Sequence, residues 1–113
     1  MAATFARPNP DLLVIEVAGE VDDLTASALE KKFSVAVGFC PKQLLINLAD
    51  VTFYSSSGIS ALITLRNQCR EADIGLWLVT SPQVHRVLEL VGLGSMFSLF
   101  DTREQAIAGL AFR

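Results

Sequence analysis

Short apolar runs rich in β-branched residues alternate along this chain with segments whose apolar residues recur every three or four positions. The first pattern is typical of buried strands and the second of amphipathic helices. Because strands separated by helices become mostly parallel neighbours joined by right-handed crossovers, this alternation leaves few possible folds. The element order β-β-α-β-α-β-α-β-α predicts an α/β domain with a mixed, mostly parallel sheet of four to five strands and about four helices.

The strand pattern also indicates where some strands lie in the sheet. Residues 44–48 are apolar apart from Asn47, as expected of a strand that is covered on both faces. Residues 8–11 are typical of a turn, so the segment before them is predicted to be a short edge strand paired in a hairpin. The predicted strands cover residues 4–6, 12–18, 44–48, 74–79 and 96–100.

The helix pattern covers four segments, and several polar residues indicate where these helices begin. A side-chain oxygen at an N-cap accepts hydrogen bonds from the unpaired amides of the first turn. Gly92 is expected to end the third helix. The apolar stripes cover residues 24–37, 59–72, 84–91 and 106–110. The candidate N-terminal signals are Asp23 or Thr25, then Ser81 before Pro82, and Thr102 in a capping box with Gln105.

Length and charge limit the number of domains and exclude one class of partner. The 113 residues are expected to form a single domain over residues 1–113, which buries about two-thirds of its unfolded surface. Twelve acidic and nine basic side chains give a net charge of −3. Because binding to phosphates requires clustered Lys and Arg, this balance argues against a nucleic-acid partner.

The apolar content of 51% raises the question of membrane insertion. The richest stretches, residues 33–48 and 84–100, are interrupted by polar and charged side chains, so no transmembrane helix is predicted. Residues 1–10 lack the basic and then apolar layout of a secretion signal. Cys40 and Cys69 lie far apart, and two free thiols in a reducing cytosol are favoured over one disulfide. We therefore expect a cytoplasmic protein without direct membrane insertion.

Residues that could support catalysis or bind a metal are few. His85 is the single histidine, so neither a structural zinc site nor a histidine-based catalytic centre is expected. Asp22, Asp23 and Asp50 could mimic an acid–base or magnesium pair, but turn and cap carboxylates are the favoured interpretation. The motif Gly-x-Ser-x-Gly is absent, and so is a Gly-rich phosphate loop with a lysine. We expect no catalytic residue, no metal and no cofactor, and the protein is not predicted to be an enzyme.

One local feature stands out where a predicted buried strand leads into an amphipathic helix. Tyr54 is followed there by Ser55, Ser56, Ser57 and Gly58. One serine N-cap contributes about 1 kcal/mol, so three serines in a row exceed what capping requires. The positive end of the helix dipole also favours a phosphate attached at such a position. The run therefore indicates a site that could accept phosphate while the domain stays folded.

Two motifs, in this order along the chain, resemble the signature of STAS domains, the family of anti-sigma factor antagonists and sulphate-transporter tails. Gly19-Glu20-Val21-Asp22 is similar to the family's earlier Gly-Glu-[apolar]-Asp turn. Residues 44–59 are similar to its strand that ends in Asp-Ser-Ser/Thr-Gly and is followed by a helix. The resemblance covers essentially the whole chain, with family-like spacing.

The resemblance implies a bacterial regulator of transcription and not an enzyme. In phosphorylated members of the family, a partner that is both anti-sigma factor and serine kinase modifies the first serine after the aspartate. The unphosphorylated antagonist binds this partner and frees the sigma factor, whereas the phosphorylated form lets go. A phosphoserine phosphatase is a further partner in such a cycle. Carried over by position, the acceptor is Ser56, and the partner-binding residues are Asp22, Ser55, Ser57, Gly58 and Ile59.

Ser55 is a departure from this signature, because phosphorylated members usually carry aspartate at its position. The departure keeps a second function open. In that alternative the chain is a non-phosphorylated STAS accessory subunit of a membrane transport complex.

Overall fold

Five strands and four α-helices make up residues 1–111, the part of the chain described by the computed structural model. The strands are β1 (Ala2–Asn9), β2 (Leu12–Val21), β3 (Gln43–Tyr54), β4 (Gly75–Thr80) and β5 (Ser98–Phe100). The helices are α1 (Asp23–Gly38), α2 (Ser56–Glu71), α3 (Pro82–Leu90) and α4 (Arg103–Leu110), with a short 3-10 helix at Gly94–Met96. The predicted element order and the α/β fold class are confirmed.

The strands lie in the sheet in the order in which they occur along the chain, β1-β2-β3-β4-β5. β1 and β2 form an antiparallel hairpin, in which Phe5 lies opposite Ile15. The pairs β2–β3, β3–β4 and β4–β5 are all parallel. Because β2, β3 and β4 are each followed by a helix, α1, α2 and α3 all begin at the same edge of the sheet.

The two faces of the sheet are covered unequally. Alternate residues of β2 contribute to the cores on opposite faces of the sheet. Leu13 and Ile15 belong to one core, while Leu12 and Val14 belong to the other. The larger core lies beneath α1, α2 and α3, with side chains that include Phe33, Leu62 and Leu88. The smaller core lies beneath α4, which contributes Ala106 and Leu110. No helix within residues 1–111 is both long enough and apolar enough to span a membrane.

β3 is longer than the sequence pattern predicted, and this extension brings the strand to the serine run. The strand continues from residue 48 to Tyr54 although Ala49 and Asp50 are exposed. The side-chain oxygen of Asn47 accepts a hydrogen bond from the Ala49 amide at 3.1 Å, and the register with β2 shifts nearby. The apolar run ends at Leu48 because Ala49 and Asp50 face solvent, which is why the pattern predicted an end at residue 48.

Other strand boundaries also differ from the prediction. β1 runs over Ala2–Asn9 and not only over residues 4–6, since paired backbone extends beyond the apolar positions. Met96 was predicted to open the last strand but belongs to the 3-10 helix before it. β5 is therefore only three residues long.

The predicted N-cap of α1 was wrong by one residue. Asp22, and not Asp23 or Thr25, occupies the cap with an extended backbone, and Thr25 completes a capping box at the third helical position. Asp22, Asp23 and Thr25 are all residue types that cap helix N-termini, so the sequence allows more than one N-cap. The backbone of Asp22 is extended because it still follows β2, and this conformation selects it.

The predictions for the ends of α3 are confirmed, and the prediction for the start of α4 is confirmed in part. Ser81 caps α3, with proline at the next position. Gly92 follows α3 with φ +76°, and the Leu93 amide donates to the Leu88 carbonyl at 2.8 Å, as in a Schellman motif. At α4, Thr102 accepts from the Gln105 amide at 3.1 Å, which is one half of the predicted capping box.

The two cysteines are unpaired, as predicted. Cys40 is exposed after α1, whereas Cys69 is buried in α2. Burial raises the pKa of the Cys69 thiol to about 11. This thiol therefore stays protonated at neutral pH and acts as a small apolar side chain of the core.

Candidate functional site

The N-termini of α1 and α2 lie side by side, because each follows one of two neighbouring parallel strands. Val21, at the end of β2, is in register with Tyr54, at the end of β3. The Ser55 amide donates to the Val21 carbonyl at 2.9 Å and joins the two chain segments just before the helices begin. The positive ends of two helix dipoles therefore point toward the same edge of the sheet.

Asp22 fixes the first of these helix starts. Its Oδ1 accepts hydrogen bonds from the amides of Leu24, at 3.0 Å, and Thr25, at 2.9 Å. The Asp22 amide in turn donates to the Thr25 hydroxyl at 3.0 Å. The bond from the Thr25 amide, followed by the contact with its hydroxyl, holds the pKa of Asp22 below its usual value. Asp22 is therefore charged at neutral pH and is already engaged in holding the turn.

The three serines at the start of α2 have three different environments. Ser55 is the N-cap, and its Oγ accepts from the Gly58 amide at 3.2 Å. Ser57 donates through its Oγ to Oδ1 of Asp23 at 2.8 Å. Ser56 is exposed at the first helical position, and its hydroxyl has no hydrogen-bond partner within residues 1–111. Ser56 thus presents the one uncommitted hydroxyl of the run.

Asp23 is a member of this site that the sequence did not reveal. It was considered a helix cap or half of a carboxylate pair, but its carboxylate instead reaches across to Ser57 of α2. Thirty-four positions separate the two residues along the chain. The predicted parallel pairing of the strands was the available signal, because it places the two turns at one edge.

Gly58 and Ile59 support the site from beneath. Gly58 is buried, and a Cβ atom built on it would lie 2.9 Å from Cζ of Tyr54 and 3.1 Å from Cγ1 of Val21. The Tyr54 hydroxyl donates to the Gly58 carbonyl at 2.8 Å, and burial raises the pKa of this phenol above its usual value. Ile59 belongs to the larger core. In this conformation both residues hold the start of α2 in place.

An exposed leucine adjoins the serines. Leu24 lies in the first turn of α1, and its side chain is 89% exposed. Leu24 directly follows Asp23, whose carboxylate is bonded to Ser57 of α2. A single exposed leucine is common on protein surfaces and does not by itself indicate a partner. We name this area the serine surface and define it by Asp22, Asp23, Leu24, Ser55, Ser56 and Ser57.

Two other residues singled out in the sequence lie outside the serine surface. Asp50 is exposed within β3, opposite Ala18. His85 is on α3, where its Nε2 is 3.0 Å from Oε1 of Glu89, one turn further along the helix. Within residues 1–111, no group of three or more histidine, cysteine, aspartate or glutamate side chains is arranged to hold a metal ion.

The chain matches the family model of the STAS domain over residues 5–106. It is 32% identical over 110 residues to the anti-sigma-F factor antagonist RsfB of Mycobacterium tuberculosis, an alignment that covers 97% of this chain and 89% of RsfB. A solved structure of an anti-sigma factor antagonist from Mycobacterium paratuberculosis is 29% identical, with a TM-score of 0.79 over 96% of this chain and 93% of that one.

The fold is also shared with the anti-sigma factor antagonist SpoIIAA. Its unphosphorylated form is 22% identical and superimposes with a TM-score of 0.82 over 99% of this chain and 98% of that one. The phosphorylated form of the Bacillus cell fate determinant SpoIIAA gives a TM-score of 0.72 at 22% identity, over 96% and 99% of the two chains. With a family model matched over most of its length, this chain belongs to the STAS domain family.

Proposed function

We propose that this protein is an anti-sigma factor antagonist whose binding to its partner is switched off by phosphorylation of Ser56. The unphosphorylated form binds a cytoplasmic anti-sigma factor that is also a serine kinase, and a phosphoserine phosphatase restores that form. The protein itself is a binding module and not an enzyme. The antagonist role is supported by the similarity to RsfB, and the switch by the existence of SpoIIAA in two phosphorylation states.

The observation that carries the proposal is the availability of the Ser56 hydroxyl. Ser55 is engaged by the Gly58 amide, and Ser57 is engaged by Asp23. Ser56 is exposed and makes no side-chain hydrogen bond within residues 1–111, so a kinase can reach its Oγ without breaking a local contact. The α2 N-terminus then receives the phosphate among backbone amides that favour negative charge.

The position of Asp23 is relevant because Ser55 replaces the aspartate that phosphorylated members of the family carry. The family's aspartate is missing from the α2 cap, but the Asp23 carboxylate lies 2.8 Å from the Ser57 hydroxyl, on the side of α1. A negative charge therefore still lies beside Ser57, the residue that follows the acceptor. Recognition by a kinase that requires an acidic neighbour is compatible with this arrangement.

The negative charge of the phosphate on Ser56 explains how the partner is released. A phosphate on Ser56 adds about −1.5 to −2 charges beside the carboxylates of Asp22 and Asp23. Like charges meeting at a desolvated interface are repelled, and an anion buried there without a partner is penalised. The serine surface thus changes from a polar and weakly acidic surface to a strongly anionic one.

Mass spectrometry after incubation with Mg-ATP and candidate anti-sigma kinases tests the proposal. The unaltered protein should gain one phosphate, and Ser56→Ala should gain none. Ser57→Ala is the matched control, because it removes a neighbouring hydroxyl but leaves the acceptor in place. Incorporation that survives in Ser56→Ala would move the acceptor to another serine and overturn the assignment.

Two further measurements separate folding and nucleotide binding from the switch. Ser56→Ala should lower the free energy of unfolding by about 1 kcal/mol at most, because the cap is supplied by Ser55. Calorimetry of the isolated protein with Mg-ATP should detect no binding tighter than the millimolar range, about −4 kcal/mol. ATP bound tightly by this chain alone would contradict a mechanism in which the kinase is the partner.

The replacement of aspartate by Ser55 favours one alternative, a STAS accessory subunit of a membrane transport complex without a phosphorylation cycle. The alternative predicts no phosphate on any serine and stable association with a transporter permease. Co-purification from cells, with Leu24→Ser as the variant, separates the two functions by the identity of the partner that is lost.

A further inference from the structure

Two arginines of α2 line a cavity beside the β5 edge of the sheet. Arg66 and Arg70 are four positions apart, so their side chains lie on the same face of the helix. The cavity has a volume of about 200 Å³. The rest of its lining comes from residues at the start of β4 and from residues 96–98, which end the 3-10 helix and open β5.

The guanidinium of Arg66 is held in place while its terminal nitrogens stay available. Its Nε donates to the Met96 carbonyl at 3.1 Å, a contact that joins α2 to the 3-10 helix before β5. The terminal nitrogens of Arg66 make no hydrogen bond within residues 1–111, and neither does the guanidinium of Arg70. Because arginine presents five N–H donors in a fixed planar fork, most donors of this pair remain for a ligand.

The cavity carries a positive charge that no carboxylate of the described chain neutralises. The ion pairs within residues 1–111 are formed by Arg103 and by His85, in other parts of the fold. Glu71 directly follows Arg70, but it forms no ion pair with it. Like charges four positions apart on a helix repel each other and destabilise it. An anion between the two guanidiniums would remove this repulsion.

The end of the helix accounts for only one of the two arginines. Arg70 lies in the last turn of α2, where a cation interacts favourably with the negative end of the helix dipole. Arg66 lies one turn earlier, and its bond to Met96 directs its guanidinium toward the segment before β5. What the two arginines share is the cavity that both of them line.

The remainder of the cavity lining is largely apolar, with one hydroxyl at the strand. Cys69, Ile74 and Phe97 line the cavity and belong to the larger core. The Cys69 thiol is neutral, because burial raises its pKa to about 11, and it therefore does not repel an anion. Ser98 is exposed on β5, and its hydroxyl makes no hydrogen bond in the described part of the chain. A ligand with an anionic head and a short apolar part matches this lining.

We infer that this cavity binds a small phosphomonoester, with its phosphate between Arg66 and Arg70 and its apolar part against Phe97. A phosphate dianion matches the two positive charges, and arginine binds phosphate oxygens through paired N–H donors. The cavity is smaller than the about 300–1,000 Å³ that drug-sized ligands occupy, so the ligand is small. The site lies about 15 Å or more from Ser56 along α2, and the inference does not depend on the proposed function.

NMR titration at constant ionic strength tests the inference with three probes, at about pH 7.5, where a phosphate carries nearly two charges. Propyl phosphate should cause saturable shifts in the amide signals of residues 96–98 and in the Nε–H signals of Arg66 and Arg70. Inorganic phosphate lacks the apolar part, and butyrate carries the same propyl group on a singly charged carboxylate, so each should bind more weakly. Equal affinity for butyrate would contradict a phosphate site, and equal affinity for inorganic phosphate would contradict the apolar contact.

Substitutions of the arginines test the same site. Arg66→Gln and Arg70→Gln should each raise the dissociation constant for propyl phosphate at least about tenfold, because each removes charge-assisted hydrogen bonds. Arg86→Gln is the matched control, since Arg86 is an exposed arginine on α3 that does not line the cavity. It should bind propyl phosphate like the unaltered chain.

Arg70→Gln keeps the test valid if Arg66→Gln disturbs folding, because Arg70 is exposed and makes no contact that holds the fold. The inference would be overturned by the absence of saturable shifts or by shifts centred on residues 55–58 at the other end of α2. Unchanged affinity in Arg70→Gln would overturn it as well, and so would an equal loss in Arg86→Gln.

Discussion

Gly58 shows how a single missing side chain positions the candidate site. A methyl group there would meet the Tyr54 ring at 2.9 Å and the Val21 side chain at 3.1 Å, and both neighbours are buried. Gly58→Ala is therefore expected to lower the free energy of unfolding by about 1–3 kcal/mol, as overpacking of a close contact usually does. Urea denaturation measures the change.

Gly38→Ala is the matched control for this substitution. Gly38 lies at the end of α1, and a Cβ atom there would meet nothing within 4 Å. Alanine should therefore be neutral or stabilising by about 0.4–1 kcal/mol at this position. Equal denaturation midpoints for Gly58→Ala and the unaltered protein would show that the Tyr54 ring moves aside for a methyl group at little cost in free energy.

Asp73 is a residue at which stability can be gained. It follows α2 with φ +58°, a left-handed conformation that glycine adopts without strain, and its carboxylate lies near the negative end of the helix dipole. Asp73→Gly is expected to raise the free energy of unfolding by about 0.5–1 kcal/mol in urea denaturation. Gly92→Ala, at φ +76° after α3, should have the opposite sign.

At the scale of elements, the capping of α1 gives a prediction about pH. The pKa of Asp22 is lower in the folded protein than in the unfolded chain, so its charge stabilises the fold above the unfolded pKa. This contribution is lost as the pH falls through the folded pKa. Asp22→Asn keeps a cap acceptor but carries no charge. The unaltered protein should therefore melt higher than the variant at neutral pH, and the gap should narrow below about pH 4.

Thermal melting at several pH values measures that gap. Asp11→Asn is a suitable control, since Asp11 lies in the exposed turn before β2 and caps no helix. Its melting temperature should follow that of the unaltered protein. A constant gap between Asp22→Asn and the unaltered protein at all pH values would contradict a role for the charge.

The element order was predictable from the sequence because each strand and helix carries its own periodic pattern. The end of β3 was not, since the side chain of Asn47 bonds to the Ala49 amide and the strand continues through exposed residues. Part of the candidate site was predictable, because Ser55 to Gly58 form one continuous motif. The bond between Asp23 and Ser57 was not, since it depends on how the ends of two strands meet in space.

At the scale of the whole molecule, α1 separates two surfaces with different properties. It begins at the serine surface, with Asp22 and Leu24, and ends beside β1, where the rings of Phe39 and Phe5 meet edge to face. Its sixteen residues span about 24 Å, so groups bound at one end do not touch the other. A change of charge at Ser56 therefore acts locally, and any effect on partner binding must arise at the serine surface itself.

Because a change of charge at Ser56 acts locally, it leads to a prediction about the phosphorylated protein. A phosphate on Ser56 sits at the N-terminus of α2, where the helix dipole favours anions, so the melting temperature should stay the same or rise slightly. Affinity for the anti-sigma partner should fall, because the added charge stands beside Asp22 and Asp23 at the interface. Ser56→Asp carries a single charge and fewer acceptor oxygens, so it should weaken binding without abolishing it.

Melting temperature and partner affinity are to be measured on the same phosphorylated sample. A fall in both would mean that phosphate disrupts the domain, whereas a fall in affinity alone is what a switch confined to the serine surface requires.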